Sequence, residues 1–247
     1  MNSEITINKL FKEQIIIKQH EKGYRFSIDS PILADFVYEN DKKNTYLEIG
    51  AGSGIIPIIM SFFDKKNKNI EKIYAVELQK SLFELAEENI KLNKVENVEL
   101  INEDIKKIKK IIKPNIIDVV FSNPPFFEIS RGRINPDNEK FIARHEVFLN
   151  LDELIKISNY LLKANGKLKL IYPAHRLTKV LTILESYSFG ILKIVIIYPK
   201  KGENVKLIMI EAIKGKKFME TKIMPPVYIN KNNEEYSEFV NNILELK

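Results

Sequence analysis

Asn123, Pro124, Pro125 and Phe126 close the apolar run Asp118 to Ser122, whose residue types suit a buried strand. Two consecutive prolines fix φ and remove two amide donors, so the loop is stiff and its carbonyls are left to face a cavity. Asn123 adds a side-chain carbonyl beside them. Two such acceptors, holding the hydrogens of an amino group conjugated to a heteroaromatic ring, favour a pyramidal nitrogen whose lone pair points at an electrophile. Positioning and electrostatic preorganisation then supply the rate. Phe126 offers an aromatic face on which a base can stack. These four residues are the expected catalytic set, and the competing reading is a proline-stiffened loop with core phenylalanines.

A second constellation lies upstream, where Leu47-Glu48-Ile49-Gly50-Ala51-Gly52-Ser53-Gly54 runs from a strand into an apolar helix. Glycines there let the chain turn sharply and let a ligand touch the backbone. Glu77 ends the next strand, followed by Leu78, and Asp104 and Ile105 follow the strand after that. Acids at successive strand tips of a doubly wound sheet reach the ribose hydroxyls of an adenosine-containing cofactor. The spacing is Glu-x-Gly-x-Gly-x-Gly, not Gly-x-Gly-x-x-Gly, and it begins with an acid. A pyrophosphate-binding turn has no need of Glu48, whereas a cofactor with a cationic amino-acid tail gains from it. The expected cofactor is therefore S-adenosyl-L-methionine rather than a dinucleotide.

Positioning these groups requires an α/β fold. Short apolar runs alternate with helical segments, giving seven expected strands: Thr45–Ile49, Lys72–Glu77, Val98–Asn102, Ile116–Ser122, Lys167–Tyr172, Leu192–Tyr198 and Lys206–Ile213. The last two are joined by only Pro199 to Asn204, too few residues for a helical crossover, so they should pair antiparallel. The expectation is a Rossmann-like, seven-stranded, mostly parallel sheet with its last strand antiparallel. Helices are expected at Ile55–Phe63, Ser81–Leu92, Leu151–Leu162 (opened by an Asn150/Glu153 capping box), Arg176–Tyr187 and Glu234–Leu246. Ser30 before Pro31 reads as a cap and first helical residue. Residues 1–40 are expected to form an N-terminal extension over the cofactor pocket, and 41–247 the main domain.

With 45% hydrophobic residues in 247, a sizeable core is available. The absence of cysteine removes disulfides, thiolate metal sites and cysteine nucleophiles, and three scattered histidines argue against a metal centre. No signal-peptide pattern or membrane-length apolar run is present, so a cytoplasmic location is expected. The net charge of +6 suits a phosphate-bearing partner, although the Lys, Ile and Asn bias of the whole chain accounts for part of it. Arg131, Arg133 and Arg144 flank the Asn-Pro-Pro-Phe loop, and Lys200 and Lys201 sit between the last two strands. All five are candidate phosphate contacts, with plain surface solvation as the competing reading.

The combination resembles the class I methyltransferases with an Asn/Asp-Pro-Pro-aromatic motif. Within them the chain is similar, nearly end to end, to the bacterial tRNA (adenine-N6)-methyltransferase family that modifies adenosine 37 of a valine tRNA. The resemblance is carried by Tyr24 to Ser30, Glu48 to Gly54, Ser122 to Phe127, Ala143 to Glu146 and Pro199 to Asn204. It implies a pocket lined by Gly50, Gly52, Gly54, Glu77, Leu78, Asp104 and Ile105, covered by Arg25, Ser27, Asp29 and Ser30. Asn123 and Pro124 would grip the amino nitrogen. Glu48 departs from the Asp of many relatives. Rival activities with the same motif are N2-methylation of a ribosomal guanine and N5-methylation of a glutamine in a translation factor; the non-enzyme rival is an RNA-binding module on this fold. No obligate protein partner is expected.

Overall fold

The computed structural model describes residues 4–21, 25–124, 149–217, 219–231 and 235–245. Burial alternates along β1 (Ile5–Leu10) and β2 (Ile15–His20), which pair as an antiparallel hairpin with Ile15 and Ile17 turned inward. Helix α1 (Asp29–Val37) follows and buries Ile32, Leu33, Ala34 and Val37. It begins one residue before the expected cap: Ile28 holds the N-cap position, and Ser30 is a buried first-turn residue. The turn closes instead through Ser27, whose carbonyl accepts the Ser30 N–H at 3.1 Å, so the Ser-Pro pair sits inside the helix. At the other end Lys169 donates to the carbonyls of Phe36 and Val37 at 3.0 and 3.3 Å and pairs with Glu39 at 2.8 Å, satisfying carbonyls that a helix end leaves open.

The main sheet contains β3 (Asn44–Ile49), β4 (Ile70–Glu77), β5 (Val98–Asn102), β6 (Ile117–Ser122), β7 (Leu162–Pro173), β8 (Phe189–Tyr198) and β9 (Leu207–Lys214). Two-residue strands β10 (Lys222–Ile223) and β11 (Val227–Tyr228) pair parallel with β8 and bring the count among the described residues to nine rather than seven. Pieces of two residues carry no alternation from which to read them. The order is β10-β8-β9-β7-β6-β3-β4-β5, with β11 also on β8. Among the described residues only β9 runs against its neighbours in this sheet, antiparallel to both β7 and β8.

Helices α2 (Ile55–Phe63), α3 (Lys80–Leu92), α4 (Leu151–Leu161), α5 (Leu177–Ser186) and α6 (Glu238–Glu245) flank the sheet. A 3-10 helix, Ile105–Lys110, stands in the β5–β6 crossover, and another, Ala174–Arg176, opens α5. The Asn150/Glu153 capping box at α4 forms as expected. Two apolar clusters fill the two faces: Tyr46, Ile58, Phe121 and Ile171 belong to one, and Leu47, Val120, Leu154 and Leu168 to the other. A sheet covered on both faces explains strands that read as continuous apolar runs.

Candidate active site

Sheet register brings the chemistry to one edge. Glu48 pairs with Phe121 and with Ala75, so Gly50, Asn123 and Glu77 lie level with one another at the carboxyl ends of β3, β6 and β4. Glu77 pairs with Asn102, which puts Asp104 two residues past the same line. Crevices outside the carboxyl ends of parallel strands, where the strand order reverses, are where open α/β sheets bind ligands.

The glycine turn is held tightly by backbone and acid. Gly50 and Ala51 both donate to the Val76 carbonyl, at 2.9 and 3.0 Å, and Gly54 donates to Ala51 at 2.9 Å. Gly50, Gly52 and Gly54 have φ of 79°, 57° and 78°, a region side chains with Cβ rarely enter. A Cβ at Gly54 would also stand 3.2 Å from that of Ala86 on α3, whereas one at Gly50 meets nothing within 4 Å. The space over Gly50 is open to a ligand.

Glu77 is buried, and its two oxygens accept the N–H groups of Gly52 and Gln79, each at 2.8 Å. Glu48 is also buried, and its Oε2 has no hydrogen-bond partner among the described residues. Burial pushes the Glu48 carboxyl well above the usual carboxylate range, and the Glu77 charge adds to the rise. An unpartnered buried acceptor beside an open glycine turn suits a cationic group. Asn102 donates to the carbonyls of Glu77 and Leu78 at 2.9 and 3.3 Å and fixes the β4 tip, leaving Leu78 exposed. Ser122 donates to the Ile49 carbonyl at 2.7 Å, joining the strand before Asn123 to the strand before Gly50.

The other expected residues divide. Asp104 uses Oδ1 to cap the 3-10 helix, accepting the Lys106 N–H at 2.9 Å, and Ile105 is buried beneath it. Asp29 accepts from the Ser27 hydroxyl at 2.7 Å, and Arg25 is exposed. Asn123 and Pro124 are half-buried at the edge. Pro125, Phe126, Arg131, Arg133 and Arg144 lie outside the described residues. The β8–β9 hairpin that carries Lys200 and Lys201 is at the same edge, because Leu207 pairs with Pro173 at the carboxyl end of β7. Lys200 pairs with Glu203 at 3.2 Å, and Lys201 is exposed. Sequence reasoning missed Ser122, Asn89, which donates to the Ser53 carbonyl of the turn at 2.9 Å, and Asn102, which holds the β4 tip; all three act through backbone atoms distant in sequence, which spacing does not reveal. Among the described residues no cluster of three or more metal-ligating side chains occurs, and no helix is long and apolar enough to cross a membrane.

A positive-φ glycine turn, two buried acids beside it and an Asn-Pro pair level with it, on a sheet whose single reversed strand among the described residues is β9, define a Rossmann-like class I methyltransferase. Residues 40–219 match the family described as "Methyltransferase domain", and the chain belongs to that family. This domain is S-adenosyl-L-methionine-dependent, and the open turn and the unpartnered Glu48 oxygen fit that cofactor. A tRNA1(Val) (adenine(37)-N6)-methyltransferase of Bacteroides thetaiotaomicron is 25% identical over 194 residues, covering 78% of each chain. The protein of that name from Trichodesmium erythraeum is 28% identical over 170 residues, 68% of this chain and 69% of the other. A third, from Dyadobacter fermentans, is 25% identical over 162 residues, and the matched stretch spans 63% of its length. Among solved structures, a predicted O-methyltransferase from Agrobacterium tumefaciens shares the fold with a TM-score of 0.69 at 19% identity, over 87% of this chain and 94% of that one. The M. jannaschii tRNA m1G37 methyltransferase does so with a TM-score of 0.57 at 19% identity, over 88% and 59%.

Proposed function

We propose that the protein methylates the exocyclic N6 of an adenine in tRNA, at adenosine 37 in the anticodon loop of a valine tRNA. The observation that carries the reading is Asn123-Pro124 at the end of β6, level with Gly50, in a chain whose curated relatives bear that activity in their names. When bound, S-adenosyl-L-methionine supplies a methyl carbon made electrophilic by the positive sulfur beside it. Glu48 and the glycine turn hold the amino-acid end, Glu77 and Asp104 with Leu78 and Ile105 the nucleoside end. The N-terminal extension, residues 1–40 with Arg25, Ser27, Asp29 and Ser30, closes over the pocket.

Asn123 and Pro124 accept the two hydrogens of the adenine amino group and turn its lone pair toward that carbon. The cofactor would supply the methyl group to that nitrogen and keep the bonding pair on its sulfur, and the extra amino proton would pass to water. Pro125 stiffens the loop and Phe126 stacks the base. A base in a loop is already partly unstacked, which lowers the cost of bringing it to the pocket. Arg131, Arg133, Arg144, Lys200 and Lys201 hold phosphates, and the protein acts in the cytoplasm.

The test is to treat unmodified tRNA with the protein and labelled cofactor and to map the product by mass spectrometry. N6-methyladenosine from the valine anticodon loop supports the reading. N2-methylguanosine or methylated glutamine as the sole product moves the activity to a rival substrate, and no transfer at all favours a noncatalytic RNA-binding module.

A further inference from the structure

The pocket is assembled from separate pieces of chain, and one buried amide joins two of them. Asn89 on α3 donates from Nδ2 to the Ser53 carbonyl of the glycine turn and to the Lys18 carbonyl of β2, both at 2.9 Å, and its Oδ1 accepts the Lys18 N–H at 2.8 Å. Its side chain is fully buried, and both amide hydrogens are used. One helical turn on, Asn93 makes the same paired contact with Ile16: its Oδ1 accepts the N–H at 2.9 Å and its Nδ2 donates to the carbonyl at 2.7 Å. The edge of β2 away from β1 is thereby hydrogen-bonded to a helix as though to another strand. From the same strand, buried Gln19 accepts the Phe26 N–H at 2.9 Å and steadies the segment leading into α1.

We infer that Asn89 is a positioning residue of the cofactor site. The peptide group between Ser53 and Gly54 is held at both ends, its carbonyl by Asn89 and its N–H by the Ala51 carbonyl at 2.9 Å. Gly54, on one side of that peptide, places little steric barrier against its rotation, so the hydrogen bond from Asn89 adds from outside the turn to the one that the Ala51 carbonyl makes from within it. Asn89 makes the orientation of the peptide depend on the docked hairpin. Cofactor binding at the turn and docking of β2 are therefore one coupled event. The inference rests on the glycine turn holding the cofactor.

Asn93→Ala serves as the control, because Asn93 touches the hairpin but not the turn. Both Asn89→Ala and Asn93→Ala should lower Tm. Only Asn89→Ala should also weaken S-adenosylhomocysteine binding, by about five- to tenfold in calorimetry, the scale of one or two neutral hydrogen bonds. Equal affinities in the two variants overturn the inference and leave Asn89 a stabilising residue only. The wild-type protein gives a second readout: saturating S-adenosylhomocysteine should slow hydrogen exchange at the Lys18 and Gly54 amides together. Protection of Gly54 with Lys18 unchanged refutes the coupling. Failure of the wild-type protein to bind S-adenosylhomocysteine at all would strike the pocket reading itself, a distinct result.

Discussion

The carboxylate of Glu77 accepts the Gly52 N–H at 2.8 Å across 25 positions of sequence, so the acid at the tip of β4 also fastens the turn at the tip of β3. Each of its oxygens carries a second lone pair, directed elsewhere than at the two amides it already accepts.

Glu77→Ala would remove the acceptors proposed for the ribose, and it leaves the Gly52 N–H without its partner. Hydrogen bonds to a charged group are worth roughly 1.5 to 3 kcal/mol, so affinity for S-adenosylhomocysteine should fall about ten- to a hundredfold. Calorimetry checks this, and unchanged affinity removes Glu77 from the site.

Glu48 predicts a pH dependence with a definite sign. Its folded pKa is raised above the unfolded carboxylate value of about 4.3. The stability that the protonated form contributes is fully present below the unfolded value and is lost as pH rises through the folded one. Glu48→Gln should therefore match the wild-type protein in acid and become increasingly the more stable of the two as pH rises, read from thermal melts. A cationic cofactor tail would favour ionised Glu48, so binding should release a proton in the wild-type protein and not in Glu48→Gln. Calorimetry in buffers of different ionisation enthalpy detects that proton.

Asn123→Ala should separate binding from chemistry. Cofactor affinity stays near that of the wild-type protein, while methyl transfer falls by about 10² to 10³, the scale of removing one preorganised hydrogen bond to the reacting group. Activity within a few-fold of wild type would show that the amino nitrogen is held by something else.

Lys200→Glu with Lys201→Glu should weaken tRNA binding and flatten its salt dependence. Each lysine that no longer neutralises a phosphate lowers the slope of log K against log salt by about 0.7 to 0.9. Cofactor affinity should not move. A steep slope that survives the double substitution would place the phosphates on other residues.

Strand tips and the glycine turn were legible because each depends on local pattern: apolar runs ended by Glu77 or Asn102, and glycines at fixed spacing before the apolar helix α2. α2 matches its expected bounds, since the same glycine that ends the turn starts the helix. Less legible were features set by partners far along the chain. Ser30 has the residue type of a cap, yet burial against the core places it inside α1. Asp104 looks like a free ligand acid, and the geometry gives one of its oxygens to the Lys106 amide. Asn89 lies within α3 and Asn93 is its C-cap; their pairing with β2 spans 71 and 77 residues and leaves no local mark.

The reversed strand β9 has a consequence for how the protein is made. In space it lies between β7 and β8, but the ribosome delivers it after both. Until Leu207–Lys214 has emerged, β8 has no seat beside β7, and the outer edge of β7 presents unpaired backbone to whatever is nearby. The last long strand thus takes its place between two strands already synthesised, and only the two-residue pieces β10 and β11 join the sheet after it. A nascent chain stalled before residue 207 carries an open, apolar strand edge of the kind that seeds aggregation.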